Sequence, residues 1–143
     1  MNDYLDASAV VPLLIPERYS QLMIGFVDDN RAQVSDFVVA EVSSAISRLV
    51  RMRAIDAVMG GEVLGNFDDW VAATPAPVEV EGDDIRQATA LVRQFELKLR
   101  APDALHLTIC RRIDARLVTL DTNLADAARA VGVACINPAE ISA

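Results

Sequence analysis

Apolar residues follow two patterns along the chain: short continuous runs, and longer segments in which they recur every three or four positions. The short runs predict β-strands at residues 3–5, 32–36, 77–80, 116–120 and 133–136. The longer segments predict α-helices at residues 16–29, 37–53, 56–73, 83–99, 102–113 and 122–131. Because strands and helices alternate from end to end, the pattern predicts an α/β fold with a mostly parallel sheet.

Capping and helix-breaking residues refine these boundaries. Asp83 or Asp84 is expected to cap the helix that follows it, and Pro102 lies in the first turn of its helix. The pair Gly60-Gly61 predicts an interruption of the helix at 56–73. Since no linker, repeat or low-complexity tract separates these elements, we expect a single domain over residues 1–143.

The composition is that of a protein with a substantial core, since 52% of the 143 residues are hydrophobic. Cys110 and Cys135 lie among apolar residues, which indicates reduced core cysteines. The N-terminal "MNDYLD" lacks the pattern of a secretion signal. No apolar run reaches the roughly 18 residues that a membrane span requires. We therefore expect a cytoplasmic protein that does not bind membranes.

The overall charge is acidic, with 21 Asp and Glu against 13 Lys and Arg and a net charge of −8. Affinity for nucleic acid comes mainly from cations, so this balance by itself does not favour a nucleic-acid partner. The local sign of the charge at a site matters more than the total. All the cations except Lys98 are arginines, which bind phosphate well through their forked geometry.

Four acidic residues stand out by their positions relative to the predicted elements. Asp6 and Asp121 follow predicted strands, and ligands of open α/β sheets bind beyond the carboxyl ends of strands. Glu41 lies about one turn into its helix, and Asp103 directly follows Pro102. Each also has a structural interpretation, because Asp6 and Asp121 suit helix caps and early-helix carboxylates favour the helix dipole.

Taken together, the four carboxylates point to a cation. Glu41 is enclosed in "FVVAEVSSAI" and Asp103 precedes "ALHL", so neither lies in a typical solvated surface segment. Carboxylates brought together in a cleft repel one another, and this repulsion raises their pKa values and costs stability. A hard divalent cation relieves that cost, and Mg²⁺ is suited to carboxylate oxygens without histidine.

The segments "YLDASAVVPLL", "FVVAEVSSAI", "RAPDALHLTIC" and "LVTLDTNLADAA" resemble the four signature segments of the PIN-domain nucleases. Within that superfamily the chain is most similar to the VapC toxins of toxin–antitoxin pairs, over essentially its whole length. The resemblance implies a three-layer α/β/α sandwich with a mostly parallel central sheet. It also implies an endoribonuclease that depends on Mg²⁺, or on Mn²⁺ as a substitute, and leaves 5′-phosphate and 3′-hydroxyl ends.

The same resemblance assigns roles to individual residues. It implies that the catalytic and metal-binding carboxylates are Asp6, Glu41, Asp103 and Asp121. Asn123 matches a further metal position, although an Asn at the start of a helix is also simply an exposed residue. Ser8 and Thr119 match small hydroxyl positions that support the site. The implied partners are an RNA substrate, a cognate antitoxin that inserts a residue at the acidic site, and a second copy of the chain in a homodimer.

Other polar and aromatic residues have less specific interpretations. His106 shares a helix flank with Asp103, which would allow it to touch the site or a phosphate. We interpret it instead as a packed or partly exposed helix residue, not a metal ligand. Phe67 and Trp70 are interpreted as helical core residues. Six basic residues have two interpretations of equal weight, as RNA contacts or as ordinary solvated surface residues. They are Arg48, Arg51, Arg53, Arg93, Lys98 and Arg100.

Two other classes of protein also collect acidic residues at strand ends. The segment "DASAV" partly resembles the metal-binding loop of von Willebrand A-type domains, but Val10 replaces the second serine of that loop. Such a domain would bind a protein ligand through a metal and would not cleave RNA. Phosphoacceptor receiver domains need a lysine late in the chain, whereas Lys98 is predicted to lie in a helix.

Overall fold

Four parallel strands form the central sheet of the computed structural model, which describes residues 1–141. The last two residues of the predicted domain therefore lie outside the described part of the chain. The sheet has the order β2-β1-β3-β4. Its strands are β1 (Asp3–Leu5), β2 (Ala32–Gln33), β3 (Arg116–Val118) and β4 (Cys135–Ile136). In the register of the central pair, Tyr4 of β1 lies opposite Leu117 of β3.

The direction of the strand connections reverses between β1 and β3. The chain moves from β1 to β2 on one side of the sheet, and from β3 to β4 on the other. Because crossovers between parallel strands are right-handed, helices cover both faces of the sheet. The carboxyl ends of β1 and β3 thus border the crevice in which α/β proteins bind ligands. The predicted α/β class, with a parallel sheet between helical layers, is confirmed.

Eight α-helices surround the sheet within residues 1–141. They are α1 (Ala7–Leu14), α2 (Ser20–Phe26), α3 (Asp36–Arg51), α4 (Ala57–Ala73), α5 (Gly82–Val92), α6 (Ala101–Ile113), α7 (Thr122–Ala130) and α8 (Pro138–Ile141). Helix α5 packs on α6, and α3 packs against α1 and α4. Caps explain several helix starts, because a side chain accepts the amide hydrogen three residues on at Asp6, Ser35, Asp56 and Asp121.

The first helix lies where none was predicted. The prediction placed a helix at 16–29, but α1 begins directly after Asp6 and α2 covers only Ser20–Phe26. Asp6 starts α1 by accepting the amide hydrogen of Ala9, and the apolar residues after it supply the buried face. Pro12 lies inside this helix and removes one backbone donor; the helix ends two residues later, at Leu14.

Helix α4 is continuous, so the predicted interruption at Gly60-Gly61 is wrong. A β-carbon built on Gly60 would lie 2.7 Å from Cγ2 of Val50 on α3, whereas one on Gly61 meets nothing within 4 Å. Gly60 therefore permits the close approach of α3 and α4. Helix packing therefore requires a glycine at position 60, whereas position 61 has space for a side chain.

This difference gives a stability prediction for the two glycines. We expect Gly60→Ala to lower the free energy of unfolding by about 1–3 kcal/mol, because the new methyl group overpacks the contact with Val50. Gly61→Ala is the matched control, and it should raise stability by about 0.5–1 kcal/mol through helix propensity. Urea unfolding followed by circular dichroism measures both effects. Equal changes of the same sign would contradict the packing argument.

The predicted helix at 83–99 ends early, at Val92. A short 3₁₀ turn over Phe95–Leu97 follows, and Lys98 then adopts a left-handed conformation with φ of 55°. Phe95 lies in this turn and is 85% exposed. Lys98 is not in a helix, contrary to the prediction, but lies in the connection that leads to α6.

The helix cap predicted at Asp83 or Asp84 is wrong by two or three residues. The capping position is Glu81, and Asp84 lies in the first turn, where its Oδ2 accepts the Glu81 amide hydrogen at 2.9 Å. Asp84 also pairs with Arg112 of α6. Its carboxylate therefore joins α5 to α6 in addition to supporting the start of α5.

The observed strands are shorter than the predicted ones. The segment at 77–80 contributes only a parallel bridge from Val78 to Ser35. Strand β3 ends at Val118, which leaves Thr119 in the turn beyond the sheet. Phe67 is fully buried and stacks on Trp70, as the core interpretation predicted. Both cysteines are free thiols. Within residues 1–141, no helix has the length and apolar character that a membrane crossing requires.

Candidate active site

The Asp6 carboxylate lies at the centre of a hydrogen-bonded cluster after β1. Asp6 is only 5% exposed. Its Oδ1 accepts hydrogen bonds from the Ser8 hydroxyl at 2.6 Å and the Ala9 amide at 3.2 Å. Its Oδ2 accepts one from the Thr119 hydroxyl at 2.6 Å. The carboxylate is thus held in place by donors from both central strand ends.

Burial raises the pKa of Asp6, and the hydrogen bonds from Ser8, Thr119 and Ala9 offset part of that increase. These donors favour the ionised form, while the apolar surroundings oppose it. A nearby positive charge would complete the compensation. The environment of Asp6 therefore suits a carboxylate that binds a cation.

Ser8 and Thr119 also join the loop after β3 to the start of α1. The Ser8 hydroxyl oxygen accepts the Leu120 amide hydrogen at 3.0 Å, and the Thr119 hydroxyl oxygen accepts that of Asp121 at 3.1 Å. The two hydroxyl oxygens lie 3.2 Å apart. The structure thus brings both predicted supporting residues into direct contact with Asp6 and fixes the loop that carries Asp121.

Asp121 is exposed and caps α7, with Oδ1 accepting the Leu124 amide hydrogen at 3.1 Å. Its Oδ2 takes no hydrogen bond from any residue in 1–141. Asn123 is also exposed, and its Nδ2 donates to the Lys98 carbonyl at 3.0 Å. This bond ties the start of α7 to the connection before α6, so the amide nitrogen of Asn123 is already engaged.

Asp103 lies in the first turn of α6, where it faces other carboxylates. Partial burial raises the pKa of Asp103, and the negative charge of Asp121 raises it further, with an additional contribution from Glu41. Such an interaction requires the three side chains to share one region of the molecule. Asp103 therefore connects the acidic residue after β3 with the one on α3.

Glu41 contacts a residue that the sequence interpretation left out of the site. Its Oε1 lies 2.6 Å from Nε2 of His106, which is on α6 and only 2% exposed. The prediction of a packed helix residue is confirmed for His106, but the contact with Glu41 was missed. The available signal was its position three residues after Asp103, which places both residues on one helix flank.

The donor set fits a hard divalent cation by its chemistry. It consists of carboxylate oxygens, one of them buried and one under repulsion from its neighbours. Across residues 1–141, however, no group of three or more His, Cys, Asp or Glu side chains is placed to hold a metal ion. The four predicted carboxylates therefore share a region without forming a ready-made ligand shell.

Two adjoining clefts lead away from the acidic region. One, of about 470 Å³, is lined by Ser8 and Asp121, and the other, of about 600 Å³, by Glu41, Arg48 and Arg51. Both clefts are bordered by the same three residues, Val11, Glu17 and Ala45. The two clefts thus form a groove that connects Asp121 and Glu41 to two of the predicted basic candidates. Arg53, Arg93, Lys98 and Arg100 are exposed.

The repulsion at Asp103 predicts a gain in stability for the metal-free protein. Because the folded-state pKa of Asp103 is raised, its ionisation costs stability as the pH rises above the unfolded value. Asp103→Asn should raise the melting temperature in EDTA at pH 7 by a few degrees, with little effect near pH 3. Mg²⁺ should stabilise the wild type more than the variant. A lower melting temperature for the variant in EDTA would contradict this account.

A parallel sheet with carboxylates after its two central strands defines an α/β protein with an acidic crevice at the switch point. Residues 4–130 match the family model of the PIN domain. The chain belongs to the PIN domain family. This match leaves the von Willebrand A-type and receiver-domain alternatives without support. A comparison with curated proteins gives no match.

Solved structures share this fold at low sequence identity. FitAcB from Neisseria gonorrhoeae has a TM-score of 0.75 and 14% identity, over 95% of this chain and 97% of that chain. VapC20 from Mycobacterium tuberculosis, a toxin that cleaves the sarcin–ricin loop, has a TM-score of 0.68 and 16% identity, over 88% and 95%. VapBC2 from Rickettsia felis, solved with a promoter DNA fragment, has a TM-score of 0.68 and 16% identity, over 96% and 98%. At these identities the likeness concerns the fold.

Proposed function

We propose that this PIN domain is a divalent-metal-dependent endoribonuclease and the toxin of a toxin–antitoxin pair. The observation that carries the proposal is that Ser8 and Thr119 join the buried Asp6, after β1, to the loop that carries Asp121, after β3. The raised pKa of Asp103, to which the charges of Asp121 and Glu41 contribute, agrees with this arrangement. Carboxylates arranged in this way at the switch point of a PIN fold have a clear use as ligands of a catalytic cation. The solved toxin structures with this fold support the same functional assignment.

The residues proposed to hold Mg²⁺, or Mn²⁺ in its place, are Asp6, Glu41, Asp103 and Asp121. When bound, the ion supplies Lewis-acid activation of water and compensates charge at the scissile phosphate. Asn123 would orient a water molecule through its side-chain oxygen, since its nitrogen is bound to Lys98. Ser8 and Thr119 orient Asp6 and favour its ionised form by donating to its two oxygens.

The reaction is the hydrolysis of an RNA phosphodiester bond. Water adds to phosphorus and one carboxylate accepts the proton lost by the water, while the bond to the 3′ oxygen breaks and that oxygen takes up a proton from solvent. The products are a 5′-phosphate and a 3′-hydroxyl. Arg48 and Arg51 line the groove that leads from Glu41, and their guanidinium groups are suited to the phosphates of a bound strand.

The proposed partners follow from the same fold and charge. A toxin–antitoxin complex from Klebsiella pneumoniae shares this fold, and we propose a cognate antitoxin for this chain as well. An arginine of such a partner would be attracted to the carboxylates around Asp103. We also propose that the chain forms a homodimer and acts in the cytoplasm, where its RNA substrate is found.

Purified protein incubated with total RNA tests the proposed function. We expect cleavage with Mg²⁺ or Mn²⁺, none with EDTA, and recovery when the metal is restored. Ligation of adaptors that require a 5′-phosphate identifies the expected ends. Cleavage that persists in EDTA, or ends with a 2′,3′-cyclic phosphate, would contradict the proposed chemistry. Failure to cleave any RNA in the presence of either metal would contradict the nuclease assignment itself.

A further inference from the structure

His106 is a buried polar side chain for which the proposed mechanism has no role. It is the only histidine of the chain and is 2% exposed. Its Nε2 lies 2.6 Å from Oε1 of Glu41, and its Nδ1 lies 2.7 Å from the Tyr4 hydroxyl. The rings of Tyr4 and Phe37 each lie 5.6 Å from the imidazole between centroids. Both ring nitrogens are therefore engaged inside the protein.

The hydrogen bonds continue beyond Tyr4 and return to the helix that carries Glu41. The Tyr4 hydroxyl lies 2.8 Å from the Ser35 hydroxyl. Ser35 is the N-cap of α3 and accepts the Val38 amide hydrogen at 3.1 Å. The series thus starts at the cap of α3, crosses β1 and α6, and ends on Glu41 of α3. This closed path links three elements around one carboxylate.

The direction of these bonds follows from the protons available. The Val38 amide can only donate, so the Ser35 oxygen accepts its hydrogen and the Ser35 proton remains for the Tyr4 oxygen. The Tyr4 proton then goes to Nδ1 of His106, and the proton on Nε2 goes to the Glu41 carboxylate. The opposite direction leaves the Ser35 proton without an acceptor among residues 1–141. Only the Nε2–H tautomer of His106 pairs every proton in the series.

We propose that His106 is a positioning residue that holds Oε1 of Glu41 through its Nε2–H, with its tautomer fixed by Tyr4. Oε2 of Glu41 takes no hydrogen bond from the rest of residues 1–141, so it stays available to a cation in the acidic groove. A residue that orients a metal-binding carboxylate in this way affects the affinity for the metal, although it does not touch the metal itself. The inference rests on the proposed nuclease function for its effect on metal binding.

The tautomer can be measured directly because the spectrum of the chain contains a single histidine. Long-range ¹H–¹⁵N correlation spectra of the ¹⁵N-histidine-labelled, metal-free protein should show protonation at Nε2. Tyr4→Phe should shift the Nδ1 resonance of His106, since Nδ1 then loses its donor, while the Glu41 carboxylate keeps Nε2 protonated. Protonation at Nδ1 in the wild type, or an unchanged spectrum in Tyr4→Phe, would overturn the assignment.

Substitutions of His106 test the effect on Glu41. His106→Asn is too short to reach Glu41, whereas His106→Gln retains an amide N–H near the position of Nε2. We expect the Asn variant to raise the Mg²⁺ concentration for half-maximal cleavage by about 10–100-fold, and the Gln variant to recover part of this loss. Tyr4→Phe should raise this Mg²⁺ concentration by a smaller factor. It provides a second test in case His106→Asn does not fold. Unchanged Mg²⁺ dependence in folded Asn and Tyr4→Phe variants would overturn the proposal.

These measurements separate the inference from the proposed function. A wild type that neither binds Mg²⁺ nor cleaves RNA would refute the nuclease assignment. The tautomer spectrum, and its change on Glu41→Gln, would still decide whether His106 donates to Glu41. We expect Glu41→Gln to shift the Nε2 resonance, and the absence of a shift would refute that contact.

Discussion

Asp6→Asn is expected to reduce Mg²⁺-dependent RNA cleavage by about 10²–10³-fold. The substitution removes the one buried carboxylate of the proposed metal site while retaining its shape. The amide can still accept one of the hydroxyl protons that Ser8 and Thr119 direct at Asp6, so the fold should persist. The initial rate of cleavage of a labelled RNA, at saturating Mg²⁺, measures the effect.

Asp126→Asn is the matched control for this experiment. Asp126 lies on α7, and its side chain is 68% exposed and pairs with Arg129. The same change of carboxylate to amide should leave the cleavage rate within about twofold. Equal rates for wild type and Asp6→Asn, with intact circular dichroism spectra, would mean that cleavage comes from another site or a contaminant.

Arg112→Met is expected to lower the free energy of unfolding by about 2–3 kcal/mol. Arg112 donates two hydrogen bonds of 2.9 Å to Asp84, whose side chain is only 3% exposed, and another of 2.8 Å to the Glu79 carbonyl. Removing the guanidinium leaves the Asp84 carboxylate buried without its partner. Urea unfolding in EDTA, followed by Trp70 fluorescence, provides the measurement.

The same pair predicts how this loss depends on pH. Burial by itself would raise the pKa of Asp84, but the hydrogen bonds and charge of Arg112 and the Glu81 amide hold that pKa below its usual value. The pair therefore stabilises the fold fully above the unfolded pKa of about 4, and this contribution is lost as the pH falls through the folded value. The difference in the free energy of unfolding between wild type and Arg112→Met should therefore become smaller below about pH 4.

Arg129→Met serves as the control for Arg112→Met. Arg129 pairs with Glu140 at 2.8 Å, but their side chains are 45% and 43% exposed. Water screens such a pair, so its loss should cost less than about 1 kcal/mol. A loss of unfolding free energy in Arg129→Met as large as that in Arg112→Met would contradict the burial argument. A difference between wild type and Arg112→Met that grows at acid pH would also contradict it.

The elements that the sequence predicts best are those with a clear apolar stripe and a marked start, which is a capping side chain in α3 and α7 and a proline in the first turn of α6. Helices α3, α6 and α7 agree with the predicted ranges to within one or two residues. The end of β1 before Asp6 was also placed correctly, whereas β3 ends at Val118, two residues before the predicted end at residue 120. The parallel sheet followed from the alternation of strands and helices, and is confirmed.

The errors arise where tertiary contacts override a local signal. As a local signal Gly60 predicts a break in the helix, but in the folded chain it allows Val50 of α3 to approach closely. No helix was predicted over Ala7–Leu14, yet the cap at Asp6 and the apolar face form one that contains Pro12 and lacks one backbone donor. The role of His106 depends on Tyr4, 102 residues away, and no local pattern encodes that contact. That Asp6, Glu41, Asp103 and Asp121 bind a metal stays a prediction.

The bond from Thr119 to Asp6 spans 113 positions of the sequence, and it is made across neighbouring central strands. A ribosome must therefore synthesise most of the chain before the buried carboxylate acquires its oxygen donors from the far segment. Any truncated product that stops before β3 has the early acidic residues but lacks the architecture that orients them. Whatever chemistry the crevice performs is thereby withheld from nascent and prematurely terminated chains.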